Sequence, residues 1–129
     1  MSGEQRPEVV EQAAVAYEAV RRINHITGGP IVAPQLYWVL GSLKLLGPGL
    51  QQALRQLGDG LVASLDLDGY EVYQDDGGDP VEAALAAQVH LEAAQDAAEQ
   101  LGWHLERAQG AINRQGYRVA DGDGAGGAW

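Results

Sequence analysis

Gly77-Gly-Asp-Pro80 opens the stretch that decides the fold, PVEAALAAQVHLEAAQDAAEQLGWHLERAQGAINRQ, residues 80 to 115. An aspartate followed by proline is a helix start: the carboxylate caps free N–H groups, and proline fits the first turn, where its missing N–H costs nothing. Ala84, Ala87, Leu91, Ala94, Ala98, Leu101, Leu105, Ala108 and Ile112 then recur at alternating steps of three and four. This is a seam of period 3.5, and no proline interrupts it. The spacing predicts a single rod of roughly 50 Å, against which the rest of the chain packs.

Three shorter helices are expected before it. The first begins after Arg6 and carries Val9, Ala13, Ala16, Val20 and Ile23 on one face; it stops near Thr27, where Gly28-Gly29-Pro30 follows. At its end, the Asn24 and His25 side chains are expected to satisfy the last carbonyls. The second starts at Pro34 with Leu36, Leu40 and Leu43 inward, and Gly47-Pro48-Gly49 should end it. The third runs from about Pro48 to Leu65, with Leu50, Leu54, Leu57, Leu61 and Leu65 inward, weakened by Gly58 and Gly60. The second and third read as an antiparallel hairpin. Asp66 to Asp79 reads as loop, because Tyr70-Glu-Val-Tyr73 alternates like a strand without a partner strand.

The expected architecture is all-α: a four-helix bundle in one domain, residues 1–116, with a long C-terminal helix. Residues 117–129, rich in Gly, Ala and Asp, are expected to be a disordered tail. A chain of 129 residues, 46% of them apolar, supports one core, and the absence of Phe beside abundant Ala suits closely packed helices.

Eight basic residues against 18 acidic ones give a net charge of −10. Without a clustered basic face, direct binding to a phosphate backbone is not expected. There is no cysteine, which removes disulfides, thiolate metal sites and cysteine nucleophiles. From the polar N-terminus no general secretory signal is expected, and the most apolar window, Ile31 to Leu46, falls short of a bilayer span of about 20 residues. A cytoplasmic protein is expected.

Chemistry-bearing patterns are sparse. His90 and His104 are two heptads apart, roughly 20 Å along a helix, too far to share one metal. The acidic loop 66–79 does not follow the EF-hand order, and its carboxylates read as solvated. No Gly-x-Ser-x-Gly and no phosphate loop occurs. The reading is that of a non-enzyme with no catalytic residue, cofactor or metal. Tyr37, Trp38 and Trp103 supply the large aromatic mass and are expected at the waist of the bundle.

Two resemblances bear on function. Ile23-Asn-His-Ile-Thr27, Tyr37-Trp-Val-Leu-Gly41, Leu50-Gln-Gln-Ala-Leu-Arg-Gln-Leu57 and Gly77-Gly-Asp-Pro80, with the Ala-rich last helix, resemble uncharacterised small helical proteins of actinobacterial plasmids, phages and integrative-conjugative elements. That resemblance implies a four-helix architecture and no particular chemistry. Tyr117-Arg-Val-Ala-Asp121 has the Tyr-x-x-x-Asp form of WXG100-type secretion substrates, which are helical hairpins with a Trp-x-Gly turn; here Trp38-Val-Leu-Gly41 has one residue too many.

The function expected from these features is that of a helical interaction or adaptor protein, self-associating as a homodimer or docking a protein partner. Its expected contact residues are Leu91, Ala94, Ala98, Leu101, Leu105, Ile112, Trp38 and Trp103. The alternatives are an acidic DNA mimic or regulator from a mobile element, and a WXG100-like secretion substrate.

Overall fold

Residues 6–120 are described by the computed structural model, and among them every regular element is a helix. In chain order they are α1 (Glu8–Ile26), α2 (Ala33–Leu43), α3 (Leu46–Ala63), a 3₁₀ turn (Ser64–Asp66) and α4 (Pro80–Ala111). Two compact units meet between residues 32 and 33 of the chain.

The first unit contains α1. Pro7 precedes it without a side-chain cap, Glu8 and Glu11 fill its first turn, and none of its residues is buried. Acidic residues there complement the positive end of the helix dipole. At its other end, the Thr27 hydroxyl donates to the Ile23 carbonyl at 2.5 Å, so Thr27, rather than Asn24 or His25, takes up an orphan carbonyl.

The second unit is a helical hairpin. One arm is α2 followed by α3, and the other is α4. The helix start read at Asp79-Pro80 is present: the Val81 N–H donates to Asp79 Oδ1 at 3.0 Å, with proline in the first turn. From there α4 runs unbroken through Gly102 to Ala111.

Two expectations for the first arm are corrected. The break between α2 and α3 falls at Lys44 and Leu45, so Gly47-Pro48-Gly49 lies inside the first turn of α3 instead of separating the helices. Pro48 is tolerated there because an N–H in a first turn has no helical partner to lose. Moreover, α2 and α3 do not fold against each other as an antiparallel pair; they lie end to end along α4. The Gln109 amide donates to the Tyr37 carbonyl of α2 at 3.0 Å, Gly102 meets Gly47 at the start of α3, and Gln88 lies against Gly58 further along it. The arms therefore run antiparallel over their full length. Residues 67–79 join them without a strand, turning at Gly69 and Gly77, whose positive φ values (82° and 83°) suit glycine.

Burial along α4 marks the seam: Ala84, Gln88, Leu91, Gln95, Ala98, Gly102, Leu105, Gln109 and Ile112 are buried or half-buried, with Ala87 and Ala94 half-buried beside them and Leu101 and Ala108 exposed. The heptad rhythm is as expected, but alternate members are shifted by one residue, and glutamine or glycine stands where alanine or leucine was expected. The matching positions are Gly47, Gln51, Leu54 and Gly58 on α3, buried or half-buried, then Leu61, 37% exposed, and half-buried Leu65 in the 3₁₀ turn. The hairpin thus interlocks small residues with glutamines. Ala33, Leu40, Ala84 and Ala98 are the buried apolar residues. Of the expected Gly-rich tail, residues 117–120 are irregular and exposed, and 121–129 lie outside the described residues.

Candidate functional site

A two-helix layer has two flanks, and the register fixes what each displays. In antiparallel arms, the residues just before the seam positions of both helices fall on one side, and those just after fall on the other. The cavities confirm the division. One, of about 320 Å³, brings Pro48 together with Glu99, Trp103 and Glu106. Another, of about 270 Å³, brings Ser64 together with Ala83 and Ala87 under Val72 and Gln74 of the connecting loop.

The first flank is apolar. It carries Leu46, Leu50, Ala53 and Leu57 from α3 and Ala87, Ala94, Ala97, Leu101 and Ala108 from α4. Leu50, Leu57 and Leu101 are 42%, 52% and 41% exposed, large values for leucines lying side by side on two packed helices. His90 and His104 sit on the outer edge of this flank, both exposed.

The opposite flank is acidic along the middle and end of α4, and it also carries Leu85 and Val89 of α4 and Arg55 and Val62 of α3, all exposed. Glu92, Glu99 and Glu106 recur every seven residues along it, each just after a seam position, with Asp96 beside them. Trp103 stands between Glu99 and Glu106, 54% exposed. Its ring lies 4.5 Å from the Arg107 guanidinium and packs edge-on against His104 at 4.7 Å between centroids.

The residues expected to make contacts therefore divide by position. Ala98 is buried, with its carbonyl near Gly47; Leu91, Leu105 and Ile112 are half-buried in the seam and hold the hairpin together. Ala94 is half-buried at the edge of the apolar flank and Leu101 lies open on it. Trp38 and Trp103 are not waist residues. Trp38 is 75% exposed on α2, in edge contact with Tyr37 at 5.8 Å, and Trp103 belongs to the acidic flank. Sequence reasoning passed over Leu50, Leu57, Glu92, Glu99 and Glu106. The two leucines were assigned to the core, and the heptad spacing of the glutamates was the available signal for the rest.

Among the described residues no group of three or more His, Asp or Glu side chains is gathered as a metal site, and no helix is long and apolar enough to cross a membrane. No protein-family model matches the sequence, and no curated protein or solved structure matches the chain.

Proposed function

We propose that the chain is a non-enzymatic helical interaction protein that self-associates through the apolar flank of its hairpin. The observation that carries this reading is the pairing of exposed Leu50 and Leu57 on α3 with exposed Leu101 on α4, on the side opposite the glutamates. A layer of two helices needs a second layer over its apolar side to make a core. A second copy related by a two-fold axis supplies that layer, since an isologous contact presents the same patch from both partners. Two hairpins laid flank to flank give four helical arms, a bundle between two chains in place of the expected bundle of the four helices of one chain. The resemblance to actinobacterial mobile-element proteins and a cytoplasmic location belong to the same proposal.

Solution mass by sedimentation tests it. The chain should be dimeric at tens of micromolar, and Leu57→Asp with Leu101→Asp should give a monomer that keeps its helical circular dichroism, because neither residue lies in the seam. A monomeric natural chain, or a double variant with unchanged mass and melting temperature, would remove the proposal.

A second reading, as a WXG100-like secretion substrate, is supported by the hairpin form itself, with two arms of similar length joined at one end. Against it, the joining segment 67–79 has no tryptophan, and Trp38-Val-Leu-Gly41 lies within α2. Asp121 of the Tyr-x-x-x-Asp pattern lies outside the described residues. Deleting residues 117–129 and assaying export tests it. The DNA-mimic reading rests on the acidic flank alone and is tested by titration against DNA-binding proteins at varied salt.

A further inference from the structure

We infer that the acidic flank is a docking groove for a partner helix bearing basic side chains, arginine above all, at seven-residue intervals. Its centre is the cavity of about 320 Å³ at the junction of α2 and α3. Its walls are Gly102, which contributes no side chain, the apolar Leu45, Pro48 and Trp103, and the polar Lys44, Gln51, Glu99 and Glu106. An arginine has the matching anatomy, an apolar stem for such walls and a planar guanidinium that takes a carboxylate through two parallel hydrogen bonds.

Trp103 already shows the chemistry. Its ring holds the Arg107 guanidinium at 4.5 Å while remaining half exposed, and tryptophan is the strongest aromatic partner for a cation. The glutamates supply the spacing. Glu92, Glu99 and Glu106 follow one another by seven residues, about 10.5 Å along the axis, the distance at which a partner helix returns the same face. Among the described residues the ion pairs are Arg6 with Glu11 and Arg21 with Glu18, all in the first unit, so the three glutamates have none. Of the basic residues on this flank, Lys44 lines the cavity at its α2 end, Arg107 covers the Trp103 ring, and Arg55 lies further along α3. A net charge of −10 adds long-range attraction for a cationic partner and repels nucleic acid.

The test is calorimetric titration with a synthetic 22-residue Ala/Gln-rich helix carrying arginines at positions 1, 8, 15 and 22. The control peptide has the same composition with its four arginines adjacent. The heptad peptide should bind with micromolar affinity at 50 mM salt and at least tenfold more tightly than the control. Glu99→Gln with Glu106→Gln should weaken it at least tenfold, and Trp103→Leu severalfold, with helicity retained in both because these side chains lie outside the seam. Asp75→Asn with Asp76→Asn, in the connecting loop, should bind like the natural chain. Equal binding of the two peptides, equal losses in the groove and loop variants, or no binding would overturn the inference. The apolar flank is untouched by these variants, so their outcome is separate from that of the self-association test.

Discussion

Gly47 and Gly102 meet backbone to backbone: a Cβ added to Gly47 would lie 2.6 Å from the Gly102 Cα and 2.9 Å from the Ala98 carbonyl oxygen. The start of α3 can approach α4 this closely only because both positions lack a side chain. A Cβ on Gly102 is less constrained, meeting Gly47 and Pro48 at 3.2 and 3.3 Å. Gly47→Ala should therefore destabilise the hairpin by about 2 kcal/mol, an overpacking cost against rigid backbone. Gly102→Ala should stay within about 1 kcal/mol of the natural chain, since a mid-helix alanine offsets the crowding. Urea denaturation of the two variants checks the order.

Gly60 lies in α3 with nothing within 4 Å of its missing Cβ. There the glycine only costs helix propensity, so Gly60→Ala should stabilise by about 0.5–1 kcal/mol. A rise in the thermal midpoint checks it, and a fall would mean that this face of α3 is covered.

Gln88 packs against Gly58, and its side-chain oxygen is buried without a hydrogen-bond partner. An unmade hydrogen bond at a buried acceptor costs about 1–3 kcal/mol. Gln88→Met keeps the length of the side chain and removes the acceptor, and should stabilise the hairpin by about 1 kcal/mol. Gly58→Ala should be tolerated, because a flexible amide tip, unlike the backbone facing Gly47, can swing aside. Denaturant midpoints of both variants decide.

Gln109 ties α2 to α4 through its bond to the Tyr37 carbonyl and lies over Gly41, where an added Cβ would be 3.0 Å from its amide nitrogen. Gln109→Ala should cost about 1–2 kcal/mol, centred on α2. Amide hydrogen exchange should quicken over residues 37–43 while α3 keeps its protection.

The sequence by itself determined the all-helical class, the four helices and the start of the last one. Those are local matters. Gly28-Gly29-Pro30 cannot continue a helix, Asp79-Pro80 begins one, and a period of 3.5 is written into residues 84–112. Tertiary structure alone decided which of two overlapping stripes on α4 faces inward. Ala87, Ala94, Leu101 and Ala108 make the more apolar choice, yet Gln88, Gln95, Gly102 and Gln109, one residue further round, occupy the seam, leaving Ala87 and Ala94 half-buried at its edge and Leu101 and Ala108 exposed. Both stripes share the same rhythm, so hydropathy could not fix the rotation of the rod. It was fixed by the opposite arm, chiefly at Gly47, whose missing side chain leaves room for the Gly102 backbone. Packing is a match of shapes between distant residues, and that match turned Leu50, Leu57 and Leu101 outward on one side and aligned three glutamates on the other.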